Sequence, residues 1–242
     1  VPDTTVLTCA AVAVFLGAIV QGTMGVGLAV VAAPVVQIAA PGLMPGAMLL
    51  VALGLALLAV SREVGHADWY GVSWALLGRL AGTATAAYVI VLVSGPVLDL
   101  LAAGITLAVV SLLTFDPARL PRNRTTLVAS GVVAGITGTT SSIGGPFMAL
   151  IYHREPGPTV RGTLGVFFAV GALLSLGTLA AAHRLPTEQL VAGGMLLPSM
   201  ALGFLASGRL RHHLEGDRMR RAVLTLSVGA ALVLLVRGLS GG

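Results

Sequence analysis

Two apolar runs of this chain are broken by glycine at corresponding places. Gly22-Thr23-Met24-Gly25-Val26-Gly27 and Gly135-Ile136-Thr137-Gly138-Thr139-Thr140-Ser141-Ser142 each sit between hydrophobic stretches too short to cross a bilayer comfortably. Pro34 follows Gly25, and Pro146 follows Gly138, at almost the same interval. In lipid, an unwound segment has no water to satisfy its N–H and C=O groups, so it must face protein, a cavity or a ligand. Matched breaks in two halves of a membrane chain therefore constrain it to a helical fold whose interrupted helices meet in the interior, the pattern of a secondary transporter.

Composition fixes the solvent. Of the 242 residues 56% are hydrophobic and 10% charged, with a mean hydropathy of +0.98, whereas a soluble domain carries roughly 25% charged residues. The chain is an all-α polytopic membrane protein. Its net charge of +5 comes from arginine, since there is no lysine. The arginines cluster in short loops, so they report orientation and not nucleic-acid binding. A lone Cys9 excludes a disulfide framework and a thiolate metal or redox relay, and no metal, cofactor or catalytic group is expected.

Apolar stretches fall at about 6–20, 28–40, 44–60, 71–93 and 97–115, then 126–138, 142–152, 162–182, 188–207 and 221–239, five in each half. The third to fifth of each half approach the roughly 20 residues a crossing helix needs. The first two are shorter, either thin crossings or a hairpin of half-helices, giving 8–10 membrane helices. The basic stretches at 116–124 and 209–221 are expected on the cytoplasmic side. Loops 61–68 and 153–161 then lie on the same side. Pro41 to Pro45, Ser94-Gly95-Pro96 and both termini are extracytoplasmic. With an odd number of segments per half, the second half is inverted relative to the first. The expected division is an N-terminal repeat over 1–115, a cytoplasmic linker over 116–125 and an inverted C-terminal repeat over 126–242.

The breaks suit a small oxyanion. Free N–H groups and the positive dipole end of a half-helix attract anions, and glycine lets a ligand approach the backbone. The residues expected to contact it are Gln21, Gly22, Thr23, Gly25 and Gly27 from the first break, and Gly138, Thr139, Thr140, Ser141, Ser142 and Gly144 from the second. The plainer reading is that glycines permit close helix packing, as at Gly78-x-x-x-Gly82 and Gly131-x-x-x-Gly135, and that Ser and Thr cap broken ends. Gln21 has two readings as well: donor to a ligand, or support for unwound backbone.

Arg79 completes the set. Counted from Gly71 as a helix start, it lies about 12 Å into a core roughly 30 Å thick, where a charge is a functional hypothesis by default. The alternative is that its side chain snorkels to the interface. No carboxylate is comparably deep: Asp99 is near a helix end, and Glu63, Asp68, Glu155 and Glu188 are placed in loops.

The pattern Gly22-x-x-Gly25-x-Gly27 leading to Pro34, and its partner Gly131-x-x-x-Gly135-x-x-Gly138 leading through Ser141, Gly144 and Gly145 to Pro146, resembles the duplicated signature of the TauE/SafE sulfite exporter family. The resemblance covers essentially the whole chain. It implies transport of a small anion, such as sulfite or a short organic sulfonate, across the bacterial plasma (inner) membrane. The expected partners are that anion and the lipid bilayer, with a homodimer as an option and no nucleic acid. A passive anion channel is the alternative. An intramembrane hydrolase is a remote one, because Ser141 and Ser142 have no deep histidine to act as base.

Overall fold

A computed structural model of the chain describes residues 4–92, 104, 121–142, 144, 146–152 and 154–214. Apart from Gly104, the fifth segment of each half lies outside the described residues, as do the turn at 94–96, linker residues 116–120 and the end of the second basic stretch. The helices are α1 (Thr4–Met24), α2 (Leu28–Ala39), α3 (Gly46–Glu63), α4 (Trp69–Leu92), α5 (Arg124–Ser141), α6 (Pro146–Tyr152), α7 (Gly157–Ala181) and α8 (Thr187–Leu214). Among the described residues there is no strand. Thr4–Met24, Gly46–His66, Gly157–Ala181 and Thr187–Leu210 are each long and apolar enough to cross a membrane.

The apolar stretches expected at 6–20 and 126–138 extend further as helix. α1 has 21 residues and α5 has 18, whereas α2 and α6 have 12 and 7. Only the second member of each pair is short. α2 folds back along α1, so a Cβ on Gly17 would lie 3.0 Å from the Leu28 backbone.

Close contacts fix the helix directions. Ser199 Oγ donates to the Ala11 carbonyl at 2.6 Å, and Gly22 meets Ser207, so α1 and α8 run parallel. Gly46 N donates to Gln189 Oε1 at 2.9 Å, and a Cβ on Gly54 would lie 2.8 Å from Met200, so α3 runs with them. In the opposite sense, α4 and α5 are parallel: Gly78 and Gly82 face the carbonyls of Val128 and Val132, while Gly131 and Gly135 face those of Ala75 and Arg79. The two small-residue motifs pack on each other so closely that no side chain fits between the helices. α7 lies alongside α4, with Thr163 Oγ1 accepting from Asp68 N at 2.9 Å, and antiparallel to α3, where Gly162 meets Glu63 and Gly165 meets Val60.

Two hydrophobic cores result. One joins α1, α2 and α3 to α8, around Val14, Met48, Leu55 and Phe204. The other joins α4 to α5, α6 and α7, around Ala75, Leu127, Tyr152 and Phe167. Each core thus combines three helices from one half of the sequence with a fourth from the other. One end of the bundle carries Pro45, where Gln189 Nε2 donates to Gly42 O and Met44 O, both at 2.9 Å. The other carries Asp68, which accepts from Tyr152 at 2.7 Å and pairs with Arg122 at 3.4 Å.

Because the facing atoms at the α4–α5 seam are backbone, nothing there can rotate away. Overpacking in a flexible core typically costs about 1–3 kcal/mol. Gly131→Leu is expected to reach or exceed that range, seen as loss of a monodisperse peak on size exclusion and a fall in melting temperature. Gly177→Leu, at a glycine with open space around it, is expected to leave both unchanged.

Candidate functional site

The first break is shorter than the glycine run. α1 continues through Gly22 and Thr23, with Gly25 N donating to Gln21 O at 2.7 Å and Thr23 Oγ1 to Val20 O at 2.8 Å. The chain unwinds only over residues 25–27, where Gly25 and Gly27 have φ values of 84° and 152° that L-residues rarely adopt. Gly27 caps α2 without a side chain. Gln21 supplies the missing acceptor, its Oε1 taking the Leu28 N–H at 3.1 Å.

The second break also begins later than expected. α5 runs through Gly138, Thr139, Thr140 and Ser141, and the helix ends at Ser142, which is left-handed at φ 60°. The hydroxyls explain the difference. Thr140 Oγ1 donates to Ile136 O at 2.8 Å, a bond a helix offers its own Thr when no water competes. Thr139 Oγ1 shares a hydrogen bond with Ser175 Oγ of α7 at 2.8 Å. Ser142 Oγ donates to Pro45 O at 3.3 Å. Beyond it, Gly144 returns onto α5, where a Cβ would lie 2.8 Å from Ala134 O and 3.2 Å from Gly138 Cα.

Arg79 lies in the space these glycines leave. It is ten residues into α4, roughly 15 Å along the helix, and only 3% exposed. A Cβ on Gly138 would lie 2.9 Å from its Nη2, one on Gly144 would lie 3.1 Å from its Nη1, and Gly171 of α7 faces its Nε. The guanidinium stacks over Phe167, 4.9 Å from the ring centroid. It stays among these glycines and does not reach the Asp68 end, so the snorkelling alternative does not describe it. Neither Nε nor Nη1 has a hydrogen-bond partner among the described residues. A buried cation with unmade hydrogen bonds is expensive.

One cavity joins these elements. Its polar wall has Gln21 and Gly27 from the first break, and Arg79, Gly138, Ser142 and Gly144 around the second. Leu28, Leu49, Ala52, Phe168 and Ala172 form the apolar wall. The centre of a water-sized sphere can range over about 40 Å³ inside it, several times what a single water needs. A smaller adjoining cavity, about 10 Å³ by the same measure, touches Gln21, Gly22 and Gly25, and reaches Arg62, Glu63 and Arg161. Gln21 and Phe168 border both.

The structure therefore brings Gln21, Gly27, Arg79, Gly138, Ser142 and Gly144 together, with Gly22 and Gly25 on the neighbouring cavity. The hydroxyls of Thr23, Thr139 and Thr140 are engaged by Val20, Ser175 and Ile136, and the side chain of Ser141 lies outside the described residues. Asp99 lies outside the described residues, and Glu63 closes α3 and Glu188 opens α8, where loops were expected. Sequence reasoning missed the α7 wall of Phe168, Gly171, Ala172 and Ser175, because α7 is apolar nearly all round and no face stands out.

Among the described residues, Arg79 carries the only formal charge on the larger cavity's wall, with no carboxylate or histidine beside it, and no cluster of metal-binding side chains occurs. Such a wall can desolvate and hold an anion. Residues 9–234 match the family described as Sulfite exporter TauE/SafE. No curated protein and no solved structure matches the chain.

Proposed function

The chain belongs to the sulfite exporter TauE/SafE family, and on that premise we propose that it is a secondary transporter of a small oxyanion, sulfite or a short organic sulfonate, working by alternating access in the bacterial plasma membrane. The observation that carries the proposal is that Nε and Nη1 of Arg79 have no hydrogen-bond partner among the described residues, on a cavity bordered by both helix breaks. An anion there gains charge-assisted hydrogen bonds from Nε and Nη1, which are stronger than neutral ones. The backbone at Gly27, Ser142 and Gly144 lines the rest of the ligand's polar surface, and the apolar wall accepts the small organic group of a sulfonate.

Two inverted repeats give the breaks a reason to meet. The α1–α2 and α5–α6 hairpins enter the bundle from opposite ends, which supports this reading, and each break borders the cavity from its own side. The Asp68 end, with Arg122, Arg124 and Arg154 near it, is the cytoplasmic one. Accessibility labelling checks this in a Cys9→Ser background: Asn123→Cys is expected to react with an impermeant maleimide from the cytoplasm, and Gly42→Cys from outside. Reaction of both from one face would remove the inverted arrangement.

The binding reading is tested by melting the purified protein with sulfite, sulfate, thiosulfate, methanesulfonate and chloride at matched ionic strength. A ligand of the folded state raises the melting temperature in proportion to its saturation. A rise with sulfite or methanesulfonate, absent with chloride, is expected. Equal melting in all five would overturn the proposal.

A further inference from the structure

We propose that Glu63 and Arg161 form the cytoplasmic gate of the cavity, a dissociable ion pair that closes the route between Arg79 and the Asp68 end. The inference rests on the transporter reading above and adds to it the closure and the helices that open it. Arg161, in the first turn of α7, donates from Nε to Glu63 Oε2 at 2.7 Å and Oε1 at 3.0 Å, both on the last residue of α3. Its Nη1 reaches the Thr23 carbonyl of α1 at 3.4 Å. One side chain thereby ties together the ends of three helices from the two separate cores.

The order of layers argues for a gate. The smaller cavity is bounded by Glu63 and Arg161 and by Gln21, Gly22, Gly25 and Phe168. Beyond Gln21 and Phe168 lies the larger cavity with Arg79. An ion leaving Arg79 toward the Asp68 end thus meets Gln21 and Phe168, a space for about one water, and then the pair. Side-chain exposures of 14% for Arg161 and 11% for Glu63 leave both groups dry enough to attract strongly, yet near enough to the surface to rehydrate when separated. Gly25 carries no side chain where a Cβ would lie 3.3 Å from Arg161 Cγ, so the arginine can lie flat across the first break. The pair joins α3 of one core to α7 of the other, so movement between the cores separates it.

The test uses the full chain in proteoliposomes, in a Cys9→Ser background with Ala52→Cys on the larger cavity as reporter. Orientation is set by parallel labelling of Asn123→Cys. An impermeant methanethiosulfonate is applied from the Asn123 face. Glu63→Gln and Arg161→Gln are expected to speed labelling of Ala52→Cys roughly tenfold, equivalent to about 1.4 kcal/mol of closing energy, while sulfite still raises the melting temperature. The exchanged protein, Glu63→Arg with Arg161→Glu, is expected to label slowly again, which mere misfolding would not produce. Unchanged labelling in both single variants, or an exchanged protein that labels as fast as they do, would overturn the gate. Labelling needs no substrate, so it can fail or succeed independently of anion binding.

Discussion

Arg79→Gln is expected to weaken sulfite or sulfonate binding roughly ten- to a hundredfold and to remove most transport, since hydrogen bonds to a charged group contribute about 1.5–3 kcal/mol. Arg79→Lys keeps the charge but replaces a rigid planar donor fork by a flexible point charge, so partial transport is expected. Stability should move the other way. Because Nε and Nη1 are buried without partners among the described residues, Arg79→Met is expected to raise the melting temperature of the anion-free protein while abolishing the shift produced by sulfite. Burying a charge without full compensation is costly, and apolar replacements of similar volume are often neutral or stabilising. An arginine kept only for packing over Phe167 would give the opposite pattern, a less stable variant with binding intact. Calorimetric titration and thermal melting of the two proteins separate the cases.

Gly138→Val is expected to be at least as damaging, by sterics. A Cβ at this position would lie 2.9 Å from Arg79 Nη2 and 3.4 Å from Gly144 Cα, so the guanidinium must shift toward the cavity and occupy the ligand's place. Loss of measurable sulfite binding is expected in a protein that still enters the membrane. Ser142→Ala should be much milder: its hydroxyl donates to Pro45 O at 3.3 Å, and loss of one neutral hydrogen bond typically costs about 0.5–1.5 kcal/mol. Unchanged affinity in purified Gly138→Val, measured by the same titration, would place the anion elsewhere.

The sequence carried the burial of Arg79, because its place follows from helix rise counted from Gly71, two residues after the observed helix start at Trp69. It also carried close helix packing at Gly78-x-x-x-Gly82 and at Gly131-x-x-x-Gly135, since small residues four apart on a membrane helix suit it, but not that the two motifs pack on each other. It did not reveal where each helix stops. A run such as Thr137 to Ser142 suits a capped end or a continuing helix whose hydroxyls bond backward, and Thr140 and Thr23 take the second course. Gln21 had two local readings, and the Leu28 N–H at 3.1 Å supports its role in holding the break, while its place on both cavities leaves it beside any ligand. The Glu63–Arg161 pair was hidden because its partners are 98 positions apart, and nothing local in either segment names the other.

The exchange of helices between the two cores alters what a rocking motion would do. Arg79, Gly138, Ser142 and Gly144 belong to the body held together by the backbone contacts of α4 and α5, while Gln21, Gly27, Leu49 and Ala52 belong to the body built around α1 and α8. If one body slid past the other, an anion bound to Arg79 would travel as a passenger with its charged wall and with Phe168 and Ala172 of α7, while Leu28, Leu49 and Ala52 would stay behind. The cavity would then change its chemical lining as well as the face to which it opens.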